Sequence, residues 1–338
     1  MYGGPSHNMT RVAKLFYIVG ILLFLITFTL ACLYANKMHT LGKQNPDEIM
    51  PDYQYHFMLI PEELDNDYWR LVEKGAMAAA KANHILLEYV GPKQSNINEH
   101  LRKLQIAAAS KVDGVLTQGY NDKQFTPVIN HLVNKGVPVI TVDTDAPSSQ
   151  RRAYIGTDNY YSGFLAGTSL IADTKGKINV AIITGSFKAE HQKLRVKGFK
   201  DAIANEDRIH VITVEESNIT RIRAAEKANK ILTEHPETNA FYGTSALDGI
   251  GIAQTVVRLN RVQSTYIIAF DTINETLDYI RKGVIDATIV QKPYEMGYKA
   301  VEMMIQIQEG KPIPEINNTD TRVIHREDLI EQKGELPQ

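Results

Sequence analysis

An uncharged apolar run of twenty residues, at positions 15–34, most constrains how this chain can fold. As a helix rising 1.5 Å per residue, the run would be about 30 Å long, which matches the hydrocarbon core of a bilayer. Arg11 and Lys14 precede it, and residues 1–14 contain no acid. The positive-inside rule then predicts a cytoplasmic segment at 1–14, a transmembrane anchor at 15–34, a linker at 35–52 and a body outside the cytoplasm.

Cys32 is the single cysteine of the chain, so neither an internal disulfide nor a cysteine metal cluster can form. The four residues ending at Cys32 (TLAC) resemble a bacterial lipoprotein cleavage site, but Thr29 and Leu30 stand where that pattern prefers Leu and a small residue. Two interpretations stay open: an uncleaved helix in which Cys32 is apolar filling, or a lipoprotein attached through Cys32. Both tether the body to the outer face of the membrane.

From Tyr53 onward, short apolar stretches rich in Val and Ile alternate with stretches of helical period. Segments such as 57–60, 137–142 and 178–183 predict strands that are buried on both faces, as in parallel sheets. The intervening helices, such as 65–82, have the length of crossover connections. Two successive sets of this pattern predict an α/β fold with two doubly wound parallel-sheet lobes.

Polar residues follow the predicted strands of both sets, which is where open parallel sheets bind ligands. They include Asn66, Asp143, Arg195, Ser245, Asp271 and Gln291. Carboxylates accept hydrogen bonds from sugar hydroxyls, amides accept and donate, and arginine supplies a planar fork of donors. Tyr68 and Trp69 follow the first predicted strand, where they could stack on a sugar ring. Alternatively, Trp69 packs in the core beneath its helix, and each aspartate caps the following helix.

Seven segments of the body occur together in a fixed order: 66–69 (NDYW), 136–143 (GVPVITVD), 155–159 (IGTDN), 195–199 (RVKGF), 243–249 (GTSALDG), 269–271 (AFD) and 287–293 (ATIVQKP). This set resembles the ribose-type periplasmic sugar-binding proteins of the type I substrate-binding fold. The resemblance covers residues 53–330. It implies two lobes that close on a monosaccharide, with no cofactor and no metal. It also implies an N-lobe at 53–157 plus 292–320 and a C-lobe at 158–291 plus 321–338, joined by three hinge strands near Thr157, Gln291 and Thr321.

The resemblance places the ligand contacts on Asn66, Tyr68, Trp69, Gln118, Asp143, Arg195, Ser245, Asp271 and Gln291. Gln118 and Ser245 stand where family members often carry Asn, and Thr144 stands where ribose binders carry Arg. Glu62 and Glu63 replace a small polar residue that is common in the family. These departures argue against ribose itself. The chain is also similar to the membrane-anchored sugar-binding partners of LytS-like sensor histidine kinases, which favours a pentose such as xylose.

Two roles stay open: signalling to a membrane sensor kinase, which the anchor favours, or delivery of the sugar to an ABC permease. A sugar-processing enzyme is disfavoured, because no separate acid accompanies Asp143 and Asp271 as glycoside hydrolysis requires. No complete dinucleotide-binding or Walker A motif occurs. Glu190 and His191 are interpreted as a solvated helix face rather than a metal site. A net charge of −2 and an apolar N-terminus argue against nucleic-acid binding.

Overall fold

The computed structural model describes residues 11–41 and 53–331 and consists of two separate units, Met1–Asp52 and Tyr53–Gln338. The first unit contains a single described helix. The second contains all the strands and the remaining helices of the described residues.

Helix α1 (Arg11–Leu41) has 31 residues. Its stretch Lys14–Asn36 has a mean hydropathy of 2.6 and is long and apolar enough to cross a membrane. The helix begins before the predicted anchor and continues to Leu41, into the segment predicted as a linker. The rest of the predicted linker, 42–52, and most of the predicted cytoplasmic segment, 1–10, lie outside the described residues.

The body alternates strands and helices along its length. In chain order the strands are β1 (Tyr55–Ile60), β2 (Ile85–Tyr89), β3 (Gly114–Thr117), β4 (Val139–Val142), β5 (Ala153–Gly156), β6 (Ile178–Thr184), β7 (Ile209–Glu216), β8 (Ala240–Gly243), β9 (Tyr266–Phe270), β10 (Ala287–Val290), β11 (Ile316–Asn318) and β12 (Arg322–His325). The helices are α2 (Asp67–Ala82), α3 (Ile97–Ala109), α4 (Asp122–Asn134), α5 (Asn159–Asp173), α6 (Glu190–Ala202), α7 (Arg221–Glu234), α8 (Ala246–Arg258), α9 (Asn274–Arg281), α10 (Pro293–Gln308) and α11 (Arg326–Glu331).

The strands form two six-stranded sheets. The first has the order β11-β5-β4-β3-β1-β2, and all of its neighbouring strands are parallel. The second has the order β12-β10-β9-β8-β6-β7 and is parallel except for β12, which runs antiparallel to β10. The predicted fold class of two doubly wound lobes is confirmed. The chain passes between the sheets after β5, after β10 and between β11 and β12. The residue boundaries predicted for the two lobes stay a prediction.

Each sheet is covered by helices on both faces. In the first lobe, α2 and α10 pack on one face around Met304, and α3 and α4 pack on the other around Phe125. In the second lobe, α5 and α6 pack on one face around Phe199, and α7, α8 and α9 pack on the other around Ile252. All four side chains are fully buried. Because the sheet faces are closed in this way, the carboxyl ends of the strands are where polar groups can meet a ligand.

Helices α5 and α6 cross closely, because both helices carry glycine where they meet. A Cβ atom added at Gly163 would collide with the backbone of Arg195, and one added at Gly198 would collide with the backbone of Tyr160. This crossing places the Arg195 side chain beside Asn159, the first residue of α5. Helix packing in the second lobe therefore positions one of the predicted ligand contacts.

Candidate functional site

A cavity of 740 Å³ lies at the carboxyl ends of strands from both sheets. It is lined by residues of both lobes and has a volume typical of small-molecule sites. The structure brings all nine predicted ligand contacts to its wall: Asn66, Tyr68, Trp69, Gln118, Asp143, Arg195, Ser245, Asp271 and Gln291. Their contact with a ligand stays a prediction, but their convergence from segments far apart in the chain is a property of the fold.

Two aspartates occupy corresponding places in the two lobes. Asp143 follows β4 and Asp271 follows β9, and both have a left-handed backbone, with φ of 68° and 69°. Non-glycine residues seldom adopt this conformation, and such strain is concentrated at functional sites. Both side chains are almost completely buried, at 4% and 7% exposure. The repeated strained geometry aims one carboxylate from each lobe at the same cavity.

Asp143 is held by three side chains of the first lobe. The Tyr68 hydroxyl donates to its Oδ1 at 2.6 Å, and Gln118 Nε2 and Thr144 Oγ1 donate to its Oδ2 at 2.9 and 3.1 Å. Burial, followed by the negative charge of Asp143, raises the pKa of Tyr68 well above its ordinary value. Tyr68 therefore stays a neutral donor, and this end of the cavity presents an oriented carboxylate.

Arg195 occupies the opposite wall and is fixed on several sides. Its Nε donates to Asn159 Oδ1 at 2.8 Å, Nη1 donates to the Thr244 carbonyl at 2.9 Å, and Nη2 donates to Gln291 Oε1 at 2.9 Å. The guanidinium also lies 4.0 Å above the centre of the Phe270 ring. Arginine has five N–H donors in a rigid fork, so these three hydrogen bonds leave donor capacity on a side chain that lines the cavity.

Gln291 links Arg195 to the second aspartate and to the first lobe. Its Nε2 donates to Asp271 Oδ1 at 2.6 Å, while its Oε1 also accepts from Thr157 Oγ1 at 2.8 Å. Burial raises the pKa of Asp271, and the Arg195 charge and the Gln291 hydrogen bond oppose that rise. The hinge region and the ligand wall therefore share one hydrogen-bond network.

Tyr68 and Trp69 both line the cavity, and Trp69 also packs in the hydrophobic core. The Tyr68 and Trp69 rings meet edge to face at 5.9 Å. Trp69 lines the cavity but is only 3% exposed and belongs to the hydrophobic core between α2 and the first sheet. Asn66 caps α2 through its Oδ1 and donates from Nδ2 to Glu63 Oε1 at 2.6 Å. Trp69 is therefore a core residue that also lines the cavity, and its stacking on a sugar stays a prediction.

Ser245 has a structural task beside its place in the cavity wall. Its hydroxyl caps α8 and donates to Asp248 Oδ2 at 2.7 Å. Asp248 is completely buried and also accepts from Ser217 at 2.5 Å. Burial raises the pKa of Asp248 to about 7. Because the hydroxyl proton of Ser245 is committed to Asp248, Ser245 can offer a ligand only an acceptor.

The interpretation of His191 as part of a solvated helix face is wrong. His191 is 5% exposed, and its Nδ1 lies 2.8 Å from Thr144 Oγ1 in the other lobe. Because Thr144 donates to Asp143, His191 donates from Nδ1 and accepts from Gln192 Nε2 at its Nε2, at 3.1 Å. Burial lowers the pKa of His191 to about 3, so it is neutral in this contact. The spacing of His191 and Arg195 by one helical turn could have indicated that both face the cavity.

Glu62 also lines the cavity and is 7% exposed. In the sequence, Glu62 was noted only as a departure from the family pattern.

Within residues 11–41 and 53–331, no group of three or more His, Cys, Asp or Glu side chains could hold a metal ion.

Comparison with known proteins gives consistent results. A family profile described as a periplasmic binding protein domain matches residues 57–312. The structure of GanP, a glucose-galactose binding protein from Geobacillus stearothermophilus, is 62% identical, covers 81% of this chain and 98% of that chain, and has a TM-score of 0.80. The XylFII-LytSN complex is 36% identical, with 81% and 98% coverage and a TM-score of 0.78.

Among curated proteins, the ribose import binding protein RbsB of Bacillus subtilis is 24% identical over 251 residues, 74% of this chain and 80% of that protein. The D-allose-binding periplasmic protein of Escherichia coli is 22% identical over 269 residues, 76% of this chain and 86% of that protein. These relatives are binding proteins, and they confirm the prediction that the chain is not an enzyme. The chain belongs to the periplasmic binding protein family, in the ribose-type sugar-binding branch that its sequence resembles.

Proposed function

We propose that this protein binds a neutral monosaccharide in the cavity between its lobes, outside the cytoplasm. The observation that carries the proposal is the pair of aspartates, Asp143 and Asp271, which face one cavity from equivalent strained strand ends. Carboxylates accept from sugar hydroxyls, and Arg195 adds donors between them. A sugar that contacts both lobes binds the closed arrangement preferentially and so shifts the population toward closure.

Within the monosaccharides, we propose an aldohexose such as glucose or galactose as the ligand. The support is GanP, described as a glucose-galactose binding protein and 62% identical to this chain. A pentose such as xylose, which the sequence favoured, is the second candidate. XylFII at 36% identity and the arabinose-binding protein AraP of Geobacillus stearothermophilus at 27% identity support the pentose less strongly.

Thermal unfolding of the full chain in detergent, with and without sugars, tests the ligand class. At a concentration about 100 times its Kd, a bound sugar stabilises the fold by roughly 2.7 kcal/mol, which raises the unfolding midpoint of a body of this size by roughly 4–5 °C. We expect D-glucose or D-galactose to give this shift and D-xylose and L-arabinose to give smaller shifts. A larger shift with a pentose would favour the second candidate, and no shift with any aldose would contradict sugar binding.

We also propose that α1 anchors the protein uncleaved and that the closed body signals to a sensor histidine kinase. The apolar stretch Lys14–Asn36 and the similarity to the XylFII-LytSN complex support this role. The alternatives are a lipoprotein attached at Cys32 and a binding component of an ABC sugar importer, the latter supported by the ribose import relatives.

Cross-linking in intact cells distinguishes these roles. We expect sugar to increase cross-linking of the chain to a histidine kinase, and the recovered chain to have its full-length mass. A chain that begins at a lipidated Cys32 would contradict the helical anchor. Cross-linking to an ABC permease in place of a kinase would contradict signalling.

A further inference from the structure

Glu62 is a buried acid at the cavity wall that the predicted set of ligand contacts does not include. It lies two residues after β1 and is 7% exposed. Ser95 Oγ, from the loop before α3, donates to its Oε1 at 2.5 Å. The carboxyl group therefore has a defined position in the first lobe, close to Asp143.

The surroundings of Glu62 disfavour a negative charge. Glu63 and Asp143 add negative charge nearby, and no lysine, arginine or histidine forms an ion pair with Glu62 among the described residues. A buried carboxylate without a cationic partner is costly, and the usual outcome is protonation. Burial raises the pKa of Glu62 from its ordinary 4.5 to about 8, although the hydrogen bond from Ser95 and the nearby amide of Gln118 act in the opposite direction.

Gln118 gives an independent sign that a donor is required here. Its Nε2 donates to Asp143 Oδ2 at 2.9 Å and to Thr144 Oγ1 at 3.0 Å. Its Oε1 is buried and has no hydrogen-bond partner in the described structure. Gln118 is 1% exposed and lines the same cavity as Glu62. A ligand hydroxyl placed between the two side chains could accept the proton of Glu62 and donate its own proton to Gln118 Oε1.

We propose that Glu62 contacts the sugar as a neutral carboxylic acid that donates to one hydroxyl, so that binding requires its proton and weakens at alkaline pH. This inference rests on the proposed sugar-binding function and deepens it. Asp143 offers the ligand hydrogen-bond acceptors, whereas protonated Glu62 offers both a donor and an acceptor. The two acids therefore make different hydrogen bonds with the ligand. A neutral sugar that fills the cavity displaces water from Glu62 and favours the neutral form further.

Several other charged or titratable groups lie around Glu62 and the cavity. They are Glu63 and Asp65 on the same loop, Asp67 and Tyr68 on α2, Lys93 before α3, Tyr120 after β3, Asp143 after β4, and, in the other lobe, His191 and Arg195 on α6, Arg221 on α7 and Asp271 after β9. Burial raises the pKa of Tyr120 to about 12 and lowers that of His191 to about 3, so neither titrates between pH 6 and 9.5. Asp248, with its pKa raised to about 7, does titrate within that range, but it does so equally in a Glu62 variant.

The decisive comparison is between the wild type and Glu62→Gln, since glutamine keeps the shape and a donor of the neutral acid. Calorimetric titration of the full chain with D-glucose or D-galactose is carried out from pH 6 to 9.5. Above pH about 8, the wild-type Kd should rise by up to about tenfold per pH unit relative to the Glu62→Gln Kd. At pH 6 the two should agree within about threefold. Glu302→Gln, the same change at an exposed carboxylate, should follow the wild type throughout.

Three binding results would overturn the proposal. One is a ratio of wild-type to Glu62→Gln Kd that does not change with pH. Another is a large loss of affinity in Glu62→Gln at pH 6, which would mean that the ionised form contacts the ligand. The third is tighter binding of an amino sugar such as D-glucosamine than of D-glucose, because a cationic ligand would pair with an ionised Glu62.

A measurement without sugar separates this proposal from sugar binding itself. The folded-state pKa of Glu62 lies above the ordinary 4.5, so the stability due to its neutral form is complete below pH 4.5 and is lost as pH rises through about 8. The unfolding midpoint of Glu62→Gln should therefore rise relative to that of the wild type between pH 5 and 8. Parallel midpoints would overturn the neutral acid even if sugar binds. Diverging midpoints without any aldose binding would contradict the sugar-binding function and, with it, the ligand contact.

Discussion

Replacing Arg195 with alanine is expected to weaken sugar binding by about 2–4 kcal/mol, or roughly 30- to 1000-fold in Kd. Arg195 is buried and donates to Asn159, to the Thr244 carbonyl and to Gln291. Without the guanidinium, these buried acceptors and the ligand hydroxyls lose charged donors. Calorimetric titration with the sugar that stabilises the wild type measures the effect.

Two further measurements make the Arg195 result interpretable. Arg102→Ala removes an exposed arginine from α3 and should leave the Kd unchanged. Denaturant unfolding of Arg195→Ala reports how much of the loss comes from a weakened fold, because the side chain also links α6 to α5 and to Thr244 directly after β8. If a folded Arg195→Ala protein bound the sugar within twofold of the wild type, Arg195 would have to be removed from the ligand site.

Trp69→Ala should mainly lower stability, by about 3–5 kcal/mol, which is the usual cost of truncating a buried tryptophan. Trp69 is 3% exposed and packs in the core of the first lobe with Val72 and Met296. Ring stacking on a sugar is expected to add a smaller effect on binding, about 0.5–1.5 kcal/mol by comparison with aromatic pairs. Denaturant unfolding and calorimetric titration, performed on the same variant, separate the two contributions.

Trp69→Phe serves as the matched control, since it keeps an aromatic ring and most of the buried volume. It should recover most of the lost stability. A loss of less than about 1 kcal/mol in Trp69→Ala would contradict the core role. Because Trp69 is the only tryptophan in the chain, wild-type fluorescence reports on it alone. No change in that fluorescence at saturating sugar would argue against contact between the ring and the ligand.

The predictable part of this molecule follows from strong local patterns. Apolar runs such as 137–142 are buried on both faces in the fold, so they could be recognised as parallel strands without knowledge of their neighbours. Asp143 and Asp271 could be placed at strand ends because parallel strands present their carboxyl ends at one edge of a sheet. That the edges of the two sheets face one cavity was implied by the family resemblance, since the two residues belong to different sheets.

The missed features depend on contacts between distant segments. Strands β11 and β12 are short edge strands in which Ile324 is the one buried residue, so they carry no long apolar run. The antiparallel pairing of β12 with β10 also follows from the third passage of the chain between the lobes. His191 looked solvated beside Glu190, but its burial comes from Thr144 in the other lobe. The hydrogen bond from Ser245 to Asp248 likewise depends on the folded helix α8, in which Ser245 is the N-cap residue.

Determination of the structure with D-glucose or D-galactose bound tests the central claim most directly. We expect one sugar ring in the 740 Å³ cavity, with hydroxyls within hydrogen-bond distance of Asp143 in the first lobe and of Asp271 and Arg195 in the second. A sugar bound at another surface, or a cavity that stays empty at saturating sugar, would contradict it.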